Sequence, residues 1–276
     1  MTDGTNPEAG AHRSEVVTSS LETTWPEPGV AVVTMQRPEV LNAVTVELAH
    51  QLTAAFRALA GTRRCRAIVL TGDGRAFCAG ADLARASGKP HSAQEGSHSR
   101  QDDYVDVIRA MRSCPLPVIA AVNGVAVGFG MAMALAADVR VMAPSARFGV
   151  GAVRIGLSAG ESGISWHLPR LIGMSRAMDL MLTGRLMGAD EASACGLASV
   201  AEDTVATALA TARAIAANSP DAVRLTKQVA WANLEASFAT GLELENRTQA
   251  LASTTNDFRE AIAAFTEKRP PVFSGF

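Results

Sequence analysis

The chain predicts an α/β fold. Short apolar, strand-like runs alternate with helix-periodic segments through its first 140 residues. Glycine-rich loops follow those runs, as in "GDGRAFCAG" and "VAVGFG". The last third lacks such runs and reads as successive helices.

The elements follow in order. "VAVVTM", 30–35, reads as a buried strand, and "RPEVLNAV" as the loop after it. Residues 45–60 place Leu48, Leu52, Ala55, Phe56 and Leu59 on one helical face. "AIVLT", 67–71, is a second strand. Residues 86–103 are polar and read as a loop, with a helix from about 101 to 113. "PLPVIAAV" is a proline-bounded strand. "ARFGV" and "GAVRIGLSAGESG" read as short strand-like pieces and loops. Helices are expected over about 163–172, 174–183, 203–217, 220–236, 240–252 and 256–267.

The run "AAVNGVAVGFGMAMALAADVR", 120–140, carries no charge before Asp138 and is long enough to suggest a membrane span. The β-branched residues that open it, the Asn123-Gly124 turn signal and the missing flanking anchors argue instead for strand, loop and buried helix.

At 276 residues the chain suits one large domain, or a domain with an extension. We divide it into a polar, disordered tail over 1–14, a core over 15–202 and a helical region over 203–276. Hydrophobic residues make up 48% and the net charge is −2. Basic residues are scattered, which gives no nucleic-acid footprint. Cys65, Cys78, Cys114 and Cys195 form no CxxC pair, so no metal site is expected, and the thiols read as reduced in a cytoplasmic protein. The polar start has no apolar signal segment.

Three short motifs compete. Gly128-Phe129-Gly130 lacks the third glycine and the acid of a dinucleotide fingerprint. "GLSAG", 156–160, matches a serine nucleophile elbow at Ser158, but that fold needs a histidine well downstream. The last histidine, His167, stands only nine residues on. "GRAFCAGADL" and "VNGVAVGFGMA" share one design, in which a strand and glycines lead toward a helix start. Two such elements can aim two backbone N–H groups at one oxygen.

Together "RPEVLNAV", "AIVLTGDGRAFCAGADL", "PVIAAVNGVAVGFGMAMALAADVRVMA", "ARFGVGAVRIGLSAGESG" and "LPRLIGMSRAMDLMLTGRLMGADEASACGLASVA" resemble the crotonase superfamily, the enoyl-CoA hydratase/isomerase family. The likeness runs in order from about residue 30 to 202, and "FTEKRPPVFSGF" resembles the family's C-terminus. It implies a spiral of ββα repeats with a C-terminal helical trimerisation region, assembled as a homotrimer or a dimer of trimers. It implies a coenzyme A thioester substrate, with coenzyme A as part of the substrate and no separate cofactor or metal. The thioester oxygen would lie between the N–H groups of Ala81 and Phe129.

The resemblance also shows departures. Where family hydratases carry two glutamates, this chain has Ala132 and Ala152. Glu161 stands in the turn where dienoyl-CoA isomerases of the family carry an aspartate, allowing a one-residue gap. Glu161 is therefore the candidate acid/base. Burial beside an acyl chain would raise its pKa toward neutrality. Coenzyme A contacts are implied at Val40, at Ala81, Asp82, Leu83 and Ala84, at Phe129, and at Phe265 and Lys268. Arg85 would stand in for the lysine often found at the Ala84 position. Asp138 reads as structural. The expected activity is double-bond isomerisation through an enolate. The alternatives are a hydratase using Glu161 and a non-catalytic acyl-CoA-binding protein.

Overall fold

A computed structural model of the chain describes residues 15–18, 20–83 and 95–275. The expected tail over 1–14, Ala84, Arg85 and the loop over 86–94 lie outside the described residues.

The chain opens with the hairpin β1 (Glu15–Thr18) and β2 (Leu21–Glu27), then β3 (Val30–Met35) and α1 (Val46–Ala60). Thr45 caps α1 by accepting the Leu48 N–H at 3.2 Å, and Leu48, Leu52, Phe56 and Leu59 form its buried face. Three strand–strand–helix units follow. They are β4 (Ala67–Gly72), β5 (Ala76–Cys78) and α2 (Glu95–Ser113); β6 (Val118–Val122), β7 (Val125–Val127) and α3 (Phe129–Ala136); and β8 (Val139–Met142), β9 (Arg147–Gly149) and α4 (Ile164–Ile172). This is the repeat expected from the resemblance.

The first strand of each unit enters a seven-stranded sheet of order β1-β2-β3-β4-β6-β8-β11, where β11 is Ser199–Val200. The second strand enters a four-stranded sheet of order β10-β9-β7-β5, where β10 is Leu186–Gly188. β5, β7 and β9 pair in parallel, so their carboxyl ends point one way. The loops leaving those ends are therefore brought together, as at the ligand-binding edge of other parallel sheets.

β4 shows why the strands read as continuous apolar runs. Ile68 and Leu70 face the main core, while Ala67 and Val69 face α7 (Thr204–Ala216) through Ala208 and Ala212. After α4 come α5 (Met174–Thr183) and α6 (Ala189–Ala194), and after α7 come α8 (Pro220–Asn233), α9 (Phe238–Ala252) and α10 (Asn256–Glu267). Asp138 ties α8 to the sheet. It accepts from Val118 N (2.8 Å) and Trp231 Nε1 (2.7 Å) and pairs with Lys227 at 2.7 Å.

Several expectations change. α2 begins at Glu95, so residues 95–103 are helical rather than loop. Its first half is too polar to show a helical period, and the helix is anchored through buried Val107, Ile108 and Met111. The helix expected over 220–236 ends at Asn233, and the one expected over 240–252 begins at Phe238. Strands β5, β7, β10 and β11 span two or three residues, too few for a period-2 signal. The apolar run at 120–140 divides into β6, β7, α3 and β8, and no helix among the described residues is long and apolar enough to cross a membrane.

Candidate active site

The site lies at the carboxyl ends of β5, β7 and β9. Beyond β5, Ala81 forms a single bridge with Val44. The Val44 N–H donates to Gly80 O at 2.8 Å, and the Asp82 N–H donates to Val44 O at 2.9 Å. Between these bonds the Ala81 N–H meets no acceptor among the described residues. The helix expected to open at Gly80-Ala81-Asp82-Leu83 would continue into residues 84–94, which lie outside the described residues.

Beyond β7, Gly128 turns the chain with φ 54° and ψ −121°, and α3 begins at Phe129. The Gly128 N–H donates to Gly149 O at 3.0 Å. The Phe129 N–H sits in the first turn of α3, where no intrahelical acceptor exists, at the positive end of the helix. A methyl group built on Gly80 would stand 3.6 Å from Phe129 N and 2.9 Å from Val127 O. A methyl built on Gly130 would stand 2.1 Å from Cys78 O, so only glycine lets α3 approach β5 this closely. Two unpaired donors thus come from segments packed backbone to backbone. That arrangement can hold a developing oxyanion.

Glu161 arrives from β9 through the 3-10 turn Gly151–Ile155 and the "GLSAG" loop. A methyl on Gly128 would stand 3.6 Å from Glu161 Oε1, so the carboxylate faces the turn that presents Phe129. Burial raises its pKa above the ordinary 4.5, and no charged neighbour contributes to the shift. Ser162 and Gly163 follow in left-handed conformations, φ 45° and 84°. The Gly163 carbonyl accepts from His167 Nδ1 at 2.9 Å, so that nitrogen carries the proton. Burial pushes the His167 pKa down to about 4, which keeps the ring neutral.

Ala132 and Ala152 are buried and contribute methyl groups where the resemblance places acids. Asp82 is occupied. Its carboxylate pairs with Arg37 Nη2 at 3.0 Å, and its N–H serves Val44. Its carbonyl is its remaining backbone group for a ligand. Val40 and Leu83 are exposed apolar residues beside the Ala81 segment. Phe265, 85% exposed, lies on α10 and Lys268 caps its end; the helix is bonded to α8 and the closing residues, Asp257 accepting from Ser219 Oγ (2.7 Å) and Ser274 N (3.0 Å). Among the described residues no hydrogen bond joins Phe265 or Lys268 to the Ala81 segment. The structure thus brings together Ala81, Phe129 and Glu161, with Val40, Asp82 and Leu83 beside them.

Ser158 is exposed, and its hydroxyl accepts from Gly160 N at 3.1 Å. The one downstream histidine, His167, keeps its Nε2 buried and without a partner among the described residues, so no base is bonded to this serine. No group of three or more metal-ligating side chains occurs among the described residues.

Residues outside the sequence reading also hold the site. Asn42 is buried at φ 56°, accepts the Arg37 N–H at 2.8 Å, and donates to Asp73 O (2.9 Å) and Ala76 O (2.8 Å). It fastens the "RPEVLNAV" loop to the β4–β5 turn. The only hint in the sequence was an asparagine in a loop, a type that tolerates left-handed backbone.

A family model described as Enoyl-CoA hydratase/isomerase matches residues 26–275. The chain belongs to the enoyl-CoA hydratase/isomerase family. It is 43% identical over 253 residues to a Rhodobacter capsulatus protein named probable enoyl-CoA hydratase, covering 90% of this chain and 95% of that one. It is 37% identical to the 1,2-epoxyphenylacetyl-CoA isomerase of Escherichia coli, covering 90% and 96% respectively. A solved enoyl-CoA hydratase from Bacillus anthracis superposes with a TM-score of 0.89 at 32% identity, covering 93% of this chain and all of that one. The two sheets and repeated strand–strand–helix units are thus the crotonase fold.

Proposed function

We propose that this family member isomerises a carbon–carbon double bond in an acyl-CoA thioester, with Glu161 as the single proton carrier. One observation carries the reading. A half-buried carboxylate without a charged partner faces the Gly128 turn, while Ala132 and Ala152 supply no second acid. The Ala81 and Phe129 N–H groups would accept the thioester oxygen. The Glu161 carboxylate takes a proton from the carbon next to the conjugated system. The electron pair moves to the thioester oxygen, giving a dienolate held by the two donors. Glu161 then returns the proton to a different carbon, and the double bond has moved. Atoms and charge balance, so the reaction needs no cofactor beyond the substrate's coenzyme A.

Coenzyme A would lie along Val40, the Asp82 carbonyl, Leu83 and Ala84, with Phe265 and Lys268 on its adenine and phosphates. The same reading makes the protein a cytoplasmic homotrimer or dimer of trimers. Four free cysteines support the location. Exposed Phe238 and Leu242 on α9 and Ile262 on α10 support the assembly.

Hydration is the second reading, supported by the name of the Rhodobacter capsulatus relative. In it Glu161 would activate a water. A panel of 2-enoyl-, 3-enoyl- and dienoyl-CoA thioesters separates the readings when hydration and double-bond migration are followed independently. Migration should exceed hydration. Faster hydration gives the second reading, and binding of every thioester without turnover marks a non-catalytic binding protein.

A further inference from the structure

One face of α2 reaches every part of the site. Gln101, Tyr104 and Ile108 lie at i, i+3 and i+7, hence in one stripe. The Tyr104 ring packs on the Phe129 ring with centroids 4.9 Å apart and planes tilted by 45°. The Tyr104 hydroxyl donates to Val44 O at 3.2 Å. That carbonyl also takes the Asp82 N–H, and Val44 is the bridge partner of Ala81. A single side chain therefore touches both the residue bearing one unpaired N–H and the bridge partner of the residue bearing the other. One turn earlier, Gln101 Nε2 donates to Ser162 Oγ at 3.2 Å. Ser162 is the left-handed residue directly after Glu161. One turn later, Ile108 Cγ2 would lie 3.9 Å from a methyl on Gly163.

We infer that Tyr104 and Gln101 are positioning residues: Tyr104 sets the spacing of the Ala81 and Phe129 donors, and Gln101 holds the turn that aims Glu161. The roles of the three reacting groups rest on the function proposed above. Tyr104 acts through Val44 and Phe129, and its hydroxyl already faces a carbonyl, so it carries no proton in the reaction. β5–β7 pairing fixes the donor strands along the sheet, but Ala81 hangs beyond it on one bridge. The Tyr104 contact pins that free end. Gln101 steadies a non-glycine residue held in a left-handed conformation, which costs energy and persists only where its surroundings enforce it.

The two residues should leave different signatures. The probe is a saturated acyl-CoA carrying a 13C carbonyl, whose infrared stretch falls as the donors polarise it. Tyr104→Phe keeps the ring and loses the bond to Val44. It should lower kcat about tenfold with KM within about twofold, and return part of the carbonyl shift toward its value in water. Tyr104→Leu should exceed both effects. Gln101→Leu should lower kcat about fivefold and leave the carbonyl frequency unchanged. All should melt near the wild type, because Tyr104 is only partly buried and Gln101 is exposed.

Wild-type kcat and carbonyl frequency in Tyr104→Phe overturn the role of Tyr104. Wild-type kcat in Gln101→Leu, or a moved carbonyl frequency in it, overturns that of Gln101. Glu161→Gln is the control. If it keeps full turnover, the proposed acid/base is wrong, whereas the infrared result for Tyr104 stands or falls independently of it.

Discussion

Replacing Gly130 by alanine puts a methyl group 2.1 Å from the carbonyl oxygen of Cys78 and 2.8 Å from both its carbon and its Cβ. Ordinary contact begins near 3.4 Å, so the start of α3 must retreat from β5 by more than an ångström. The obstacle is backbone, which cannot rotate aside as a side chain can. Two effects oppose each other. Alanine is favoured over glycine in a helix by about 1 kcal/mol. Overpacking costs about 1–3 kcal/mol. The clash wins, for a net loss of up to about 2 kcal/mol, or a fall in Tm of several degrees for a domain of this size. The larger effect is on rate. Phe129 is the adjacent residue, and its N–H moves with the helix start. A misplacement of about 1 Å is worth about 10²-fold. The assay is kcat for the best thioester of the panel, beside a thermal melt. Gly61→Ala is the control, since its nearest neighbour would be 3.7 Å away. A Gly130→Ala enzyme that melts lower yet keeps kcat within about twofold refutes the claim that the Phe129 N–H sets the rate.

Other predictions follow from the same geometry. Glu161 must be ionised to accept a proton, and burial raises its pKa, so activity should fall with decreasing pH at a midpoint above 4.5 in a pH–rate profile. For stability the sign is opposite. A carboxyl with a raised folded-state pKa loses its stabilising share as pH rises from 4.5 through the folded value, so Glu161→Gln should melt higher than wild type at pH 8 and match it near pH 4. Asn42→Ala leaves the Arg37 N–H and the Asp73 and Ala76 carbonyls without the bonds Asn42 made, which should cost about 3 kcal/mol and roughly 10 °C in Tm. Ser158→Ala should keep kcat within about twofold, because its hydroxyl serves only Gly160.

Much of the fold was legible because its strands are buried on both faces. "VAVVTM" and "AIVLT" are continuous apolar runs, and α1 announces itself through Leu48, Leu52, Phe56 and Leu59. The donors were legible because a positive φ requires glycine at Gly128 and close backbone approach requires it at Gly130, and glycine is visible in a sequence. Glu161 was found through family resemblance, since a lone acid in a loop has no periodic signal. The supports were hidden. The stripe of α2 that touches the site begins at Gln101, where charged and polar neighbours mask the helical period. Arg37 reaches the Asp82 carboxylate and Asn42 the Asp73 carbonyl, each more than thirty residues away, and no local pattern reports such a contact. Phe265 and Lys268 matched the family's end, yet α10 is bonded to α8 and the closing residues rather than to the Ala81 segment.

The most direct test of the central claim is double-bond migration in a 3-enoyl-CoA dissolved in D2O, followed by NMR for the wild type and Glu161→Gln. The account predicts migration in the wild type, with deuterium entering the acyl chain only to the extent that the Glu161 carboxyl exchanges with solvent before it returns the proton. It predicts a loss of about 10²-fold or more in the variant, with thioester binding unchanged. Migration at the wild-type rate in Glu161→Gln would contradict it.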